Sequence, residues 1–501
     1  MNTISIKNFR SIVDSGDILV NRVNILLGKN SSGKSSFIRL FPMIKQTMNH
    51  KMRGPLLWFD EYYDLGRFDT ALSRHATEDK LIMLGFEIEK NQIEPSCKTD
   101  KCIDCSYIHM SPNLFLDGMN KVRVEVYIDS VKDDTYIKKL VLKFKKHIVQ
   151  IEQNRNEDNL NISIDDKNFF EGSMAWSYRR TAFLPKLVLI PNSKIDKIQE
   201  QLNKMLKSIP DTNERYYNAF YNIKSIDLDE ILESWKKKTS NPIISMILSH
   251  VDGKKEEAGK ILSYLVLVNL LKAIKFVDGM IDSFFDNSYY IAPNRYNYER
   301  FMRNKGLSVE TVDPIGKNLM EYILGLSGDD LKDYKKFMKN SFGAVFTVTG
   351  KDNKSIMVAK DGEVDNLVDV GSGFSQVLPI ATLLWDLANR DGKYCGLPNT
   401  VAIEQPEIHL HPAMQREFAD MIVKVVELSK KNNNNLNIII ETHSPTIINR
   451  IGRLIRKKEG EISEKDVSVY LFDKENGSTK ITQTSYNSDG RISNWPIGFL
   501  D

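Results

Sequence analysis

Gly28-Lys29-Asn30-Ser31-Ser32-Gly33-Lys34-Ser35 decides the reading of this chain. The octapeptide matches G-x-x-x-x-G-K-[ST] in full. The hydrophobic run Val23-Asn24-Ile25-Leu26-Leu27 precedes it, and an apolar-periodic stretch begins at Phe37. The loop therefore lies between a strand and a helix, the context that turns the pattern into a phosphate site. Its glycines let backbone N–H groups curl around phosphates, and the N-terminus of the following helix faces the anion. Lys34 is expected to reach the β- and γ-phosphates, and the Ser35 hydroxyl to ligate Mg²⁺. Candidate nucleotide-binding positions run without a gap from Gly28 through Ser36.

Bulk properties set wider bounds. The 501 residues exceed one ordinary domain and predict two or three folding units. A hydrophobic content of 41% with 27% charged residues is that of a globular chain with ample material for a core. The net charge of +3 neither argues for nucleic acid nor excludes it. Lys236-Lys237-Lys238 and Arg456-Lys457-Lys458 read as solvated helix ends. The N-terminus, Met1-Asn2-Thr3-Ile4-Ser5-Ile6-Lys7, alternates like a strand rather than a secretory signal. Leu262 to Leu271 is too short to span a bilayer. The expectation is a cytoplasmic protein with no membrane contact.

Three of the four cysteines lie close together. Cys97, Cys102 and Cys105 with His109 give C-x4-C-x2-C-x3-H, a spacing that would hold a structural Zn²⁺ as a small knuckle over 97–109. The alternative is three reduced thiols in a polar loop, beside Lys98, Asp100, Lys101 and Asp104.

Short alternating runs from Leu81 to Ile88, Val122 to Ile128, Tyr136 to Phe144 and Asn159 to Ile164 predict antiparallel strands. The period turns helical in Leu232 to Lys238 and Glu256 to Phe285. Strands are expected again at Tyr289-Tyr290-Ile291, Ala344 to Thr349 and Ser355 to Ala359. Beyond them the pattern gives a helix from Ser375 to Leu387, a strand from Thr400 to Ile403, a helix from Pro412 to Lys430 and a strand from Leu436 to Ile440. The expected boundaries are an N-terminal lobe at 1–190, a helical insertion at 191–287, a C-terminal lobe at 288–455 and a tail at 456–501.

Three later segments bear on the phosphate site. In Thr400 to Pro412, TVAIEQPEIHLHP, a hydrophobic strand ends in Glu404, where a carboxylate can hold Mg²⁺ through water. A second buried strand ends in Glu441-Thr442-His443-Ser444, and in open α/β sheets the ligand lies at that end. Asp369-Val370-Gly371-Ser372-Gly373-Phe374-Ser375-Gln376 is rich in glycine and serine and opens a helix, a second anion-binding start.

With these in order, the chain resembles the ABC/SMC superfamily of ATPase heads, and more narrowly the stand-alone OLD-type ATPases of bacterial anti-phage systems. The segments that carry the resemblance are the P-loop, VGSGFSQVLP, IEQPEIHLHP, ETHS and the terminal DGRISNWPIGFLD. The stretch from about 95 to 290 matches no motif. The resemblance implies an α/β fold: a P-loop ATPase head with an antiparallel β-rich N-lobe, a mixed or parallel nucleotide-binding sheet and an inserted helical region. It implies that two heads trap ATP between the P-loop of one and the signature segment of the other, giving a homodimer or higher assembly. Lys34, Ser35, Glu404 and His443 would act in cis. Gly371, Ser372, Gly373, Ser375 and Gln376 would act in trans.

One position departs from the pattern. ABC-type heads usually carry aspartate then glutamate, and this chain has Glu404 then Gln405. Glutamine can orient water but cannot take its proton. Hydrolysis is then slow, or Glu407 serves as the base. The resemblance points to an ATPase of anti-phage defence, in the manner of Septu-type or retron-associated systems, that controls a separate effector, a nuclease. The alternative is an SMC-like or RecF-like repair ATPase that binds DNA directly. The stretch after Ser444 is too short for a Toprim nuclease domain, so no intrinsic nuclease is expected.

Overall fold

The computed structural model describes residues 1, 3–60, 63–76, 79–89, 121–132, 134–145, 147–153, 160–172, 174–178, 182–189, 228–237, 255–303, 305–390, 397–493 and 495. Contacts divide the chain into two compact units, one of 1–2, 47–57 and 81–283, the other of 3–46, 58–80 and 284–501. The sequence expectation drew its lines at 190 and 287. The difference arises because the first seventy to eighty residues are shared: the P-loop strand and its helix pack with elements far downstream.

The first unit is built on a meander. Ile82–Glu89, Lys121–Val131, Asp134–Phe144, His147–Gln153, Leu160–Ile164 and Lys167–Gly172 pair antiparallel, each with the next. Alternation sets their faces: in His147–Gln153, His147, Val149 and Ile151 are buried while Ile148 is exposed. Met174–Ser177 and Lys186–Leu189 form a separate antiparallel pair. The helices Leu228–Lys236 and Lys255–Asp286 appear where the helical period predicts them. Cys97, Cys102, Cys105 and His109 lie outside the described residues, and among the described residues no cluster of metal-ligating side chains occurs.

The second unit carries the P-loop on a mixed α/β sheet. Its strand order is Thr3–Phe9, Ile12–Asp14, Ser478–Thr484, Val467–Glu475, Val23–Gly28, Leu436–Glu441, Asn399–Glu404, Ser288–Ile291. From Val467–Glu475 to Ser288–Ile291 every neighbouring pair is parallel. Val23–Gly28, Leu436–Glu441 and Asn399–Glu404 are buried along their whole length. That is why their sequences are continuous hydrophobic runs rather than alternating ones.

Helices Ser372–Asn389, Pro412–Lys431 and Pro445–Lys457 complete the parallel part. Two begin with proline at the first turn, where a missing N–H costs nothing, behind side-chain caps from His411 and Ser444. The helix Gly328–Phe342 packs on Ser372–Asn389 through an edge-on Tyr334–Trp385 pair at 5.1 Å and a Tyr334–Thr382 hydroxyl contact at 3.0 Å. Met302–Arg303, Ala344–Thr349, Asn353–Lys360 and Glu363–Asn366 make a small antiparallel sheet in the same unit.

The segment expected as a tail, 456–501, contains regular structure. Val467–Glu475 and Ser478–Thr484 are antiparallel strands of the central sheet, and the first of them pairs directly with the P-loop strand. They are joined by Asn476-Gly477, with φ of 51° and 85°. A two-residue turn of that geometry twists with its strands, and asparagine and glycine are the residues that tolerate positive φ at both positions. No described helix is long and apolar enough to cross a membrane.

Candidate functional site

The sheet brings two acidic strand ends and the P-loop to one place. Register pairs Glu404 with Glu441, and Glu441 with Leu26 on the P-loop strand. A cavity of about 510 Å³ opens there, walled by Asn30 to Ser36 together with Gln405, Glu441 and His443. Arg10, Arg74 and Lys474 add positive charge to its walls, the sign a polyphosphate requires.

The P-loop is shaped by close neighbours. Gly33 adopts φ +103°, and a Cβ there would meet Thr479 Oγ1 at 2.6 Å and Ser11 Oγ at 2.8 Å. Only glycine fits both the conformation and the space. At Gly28 a Cβ would meet the Phe472 carbonyl at 2.2 Å. Thr479 Oγ1 donates to the Ser32 carbonyl at 2.8 Å. The loop is thus held from outside by the downstream hairpin.

Lys34 is 2% exposed. Its ammonium donates to the Gly28 and Lys29 carbonyls at 3.0 and 2.8 Å, inside the loop it is expected to serve. Burial lowers its pKa below the ordinary lysine value, with Glu441 and Glu407 opposing. The Ser35 hydroxyl donates to Glu441 Oε1 at 2.8 Å. Burial first, and the nearby Glu404 carboxylate second, push Glu441 up to about 7. Ser32 Oγ, Glu441 Oε2 and His443 Nε2 are buried with no hydrogen-bond partner among the described residues.

Glu404 is elsewhere engaged. Arg39 binds it through Nε at 2.7 Å and NH2 at 2.9 Å, and the Tyr290 hydroxyl donates to it at 2.7 Å. These bonds outweigh burial and raise the Arg39 pKa above its ordinary value. Arg295 donates to the Glu404 carbonyl at 2.8 Å and the Gln405 carbonyl at 3.3 Å, and so fixes the turn after the strand. Glu407 accepts from Thr442 Oγ1 at 2.8 Å and from the His443 backbone N–H at 2.6 Å. Burial raises its pKa, against those hydrogen bonds. His443 is held by that contact with its ring at the cavity, and burial, then Lys34, lowers its pKa.

The structure therefore gathers Asn30 to Ser36, Gln405 and His443 around one cavity, with the carbonyls of Gly28 and Lys29 behind Lys34. Glu404 and Glu407 are not among its walls. The signature segment is not among them either: Gly371, at φ +86°, caps the helix Ser372–Asn389, with Ser372 exposed, Ser375 half-buried and Gln376 buried. Sequence reasoning missed Glu441, although an acid at the end of a buried strand two residues before His443 was signal enough. Arg39, Tyr290 and Arg295 carried no local signal.

The residues fit a nucleotide and its metal: a buried ammonium, a row of loop residues, a free histidine nitrogen, and a hydroxyl beside a carboxylate with one unused oxygen. Comparison with solved structures finds an SMC head bound to the C-winged helix domain of ScpA, at 11% identity over 97% of this chain and 98% of that one, TM-score 0.38. An Smc head domain with an extended coiled coil from Pyrococcus furiosus, bound to the C-terminal domain of ScpA, follows at 11% identity, 97% and 96% coverage and TM-score 0.35. The SMC head domain from Thermotoga maritima matches at 9% identity, 96% and 97% coverage and TM-score 0.34. No curated protein matches. Residues 462–501 match a family described as Protein of unknown function (DUF3696). Residues 1–448, which include the P-loop, Gln405, Glu441 and His443, match the family described as AAA ATPase domain, and the chain belongs to that family.

Proposed function

We propose that this protein is a slowly hydrolysing ATPase whose heads close on ATP as a homodimer or higher assembly and so control a separate effector, a nuclease, in bacterial anti-phage defence. The observation that carries the slow-switch part is Gln405 at the wall of the P-loop cavity, where no carboxylate of the IEQPE block stands. Lys34 would bind the β- and γ-phosphates, and the His443 nitrogen would meet the γ-phosphate end. Mg²⁺, when bound, would neutralise phosphate charge, with the Ser35 hydroxyl as one of its ligands. Gln405 would orient the attacking water without taking its proton. The defence assignment rests on the order of motifs shared with stand-alone OLD-type ATPases.

The composite site is supported by the signature segment, whose exposed Ser372 and half-buried Ser375 stand apart from the chain's own P-loop cavity. A γ-phosphate contributed by a second protomer would engage the N-terminus of that helix. ATP with Mg²⁺ should therefore shift the native mass from monomer toward dimer or beyond, and Ser375→Arg should abolish the shift by placing bulk and charge at the seam. A strict monomer under saturating ATP and Mg²⁺ would remove the head-to-tail arrangement.

The effector is expected to be another chain. Purified protein incubated with Mg²⁺ or Mn²⁺ and DNA or RNA should leave the nucleic acid intact. Cleavage that is lost on a point change in this chain would overturn that reading. Strong stimulation of ATP turnover by DNA alone would favour a repair ATPase instead.

A further inference from the structure

Two strand ends and the turn after one of them hold three carboxylates, and in two of these both oxygens are hydrogen-bonded. Glu404 takes both bonds from Arg39 and one from Tyr290. Glu407 takes Thr442 and the His443 N–H. Glu441 differs. It is 2% exposed, its Oε1 accepts from Ser35 at 2.8 Å and lies 3.9 Å from the Lys34 ammonium, and its Oε2 has no partner. A buried carboxylate oxygen without a partner is unfavourable unless something brings positive charge to it. The Lys34 ammonium, at 3.9 Å from Oε1, is beyond hydrogen-bond distance and donates instead to two carbonyls.

We propose that Glu441, and not Glu404, is the carboxylate that holds the Mg²⁺ of this site together with Ser35. The inference rests on the ATPase reading of the P-loop and names a residue within it. Mg²⁺ is a hard cation that takes oxygen ligands, keeps several waters and needs only one or two carboxylates besides phosphate. Glu441 and Ser35 supply a carboxylate and a hydroxyl already in contact, at the cavity that the phosphates would fill. Glu404 already accepts three hydrogen bonds, from Arg39 and Tyr290, that compete with any such ion. Its role is then positional: it fixes Arg39 and Tyr290.

Mn²⁺ titrated into the protein with a non-hydrolysable ATP analogue, followed by electron paramagnetic resonance, tests the assignment without reference to turnover. Glu441→Gln should weaken Mn²⁺ binding at least about tenfold, whereas Glu404→Gln should weaken it less. Nucleotide binding in EDTA should be kept or tightened in Glu441→Gln, because a negative charge facing the phosphates is gone. That arm also shows that the variant is folded. Glu441→Asp, which keeps the charge, should hold Mn²⁺ better than the glutamine variant. Native Mn²⁺ affinity in Glu441→Gln together with its loss in Glu404→Gln would overturn the proposal. Absence of nucleotide binding by the native chain, in EDTA and in Mg²⁺ alike, would instead defeat the ATPase reading beneath it.

Discussion

Lys34→Ala should lower ATP affinity by roughly a hundredfold or more. Hydrogen bonds to charged groups contribute about 1.5–3 kcal/mol each, the ammonium reaches two phosphates, and about 1.4 kcal/mol is a factor of ten. The loss has a structural companion. Lys34 donates to the Gly28 and Lys29 carbonyls from an almost fully buried position. Alanine would leave those carbonyls without their donor, and the P-loop should lose stability without the fold being lost. Calorimetric titration of ATP, beside a thermal melt of the same sample, separates the two effects. Unchanged ATP affinity in a folded variant would sink the phosphate-site reading.

Gln405→Glu carries the opposite sign. A positioned base typically contributes about 10²–10⁴-fold to a rate, and glutamine has no basic form at neutral pH. The native chain should hydrolyse ATP well below the ~10 s⁻¹ median of enzymes, and the substitution should raise turnover while shortening the life of the closed assembly. The backbone is set to receive it. The Gln405 N–H donates to the Glu441 carbonyl at 2.9 Å, its carbonyl accepts from Arg295, and its φ of +41° is no harder for glutamate than for glutamine. Glu407 is the rival base, but both its oxygens are engaged at Thr442 and His443. Glu407→Gln should therefore act by loosening His443. If Gln405→Glu leaves single-turnover rates unchanged while Glu407→Gln abolishes them, Glu407 is the base and the slow-switch reading is wrong.

What could be read from the sequence follows how local its cause is. The P-loop announced itself because every part of it lies within one octapeptide and its flanks. Strands such as Asn399–Glu404 and Leu436–Glu441 were legible because burial on both faces writes an unbroken apolar run. The hairpin around Asn476-Gly477 was equally local in its signal, yet a polar terminal stretch was taken for a tail: Ser478–Thr484 is half exposed and reads as surface. Glu404 was placed at its strand end, but its contacts with Arg39 and Tyr290 were not foreseen. Its partner Arg39 lies 365 positions away, and no pattern in either segment encodes the pairing. Glu441 was hidden in plain view because His443 drew the reading past it.

The P-loop strand has its two sheet neighbours, Leu436–Glu441 and Val467–Glu475, far downstream. Phe472 and Thr479, which close on Gly28 and Gly33, come from the same late stretch. On the ribosome, where chains emerge at about 5–20 residues per second, the loop that is made almost first must wait for nearly everything else. A nascent chain has the octapeptide but not the walls that shape it. A fragment cut short before Val467 lacks the strand and the side chains that close on Gly28 and Gly33, and is expected to bind nucleotide more weakly than the finished chain.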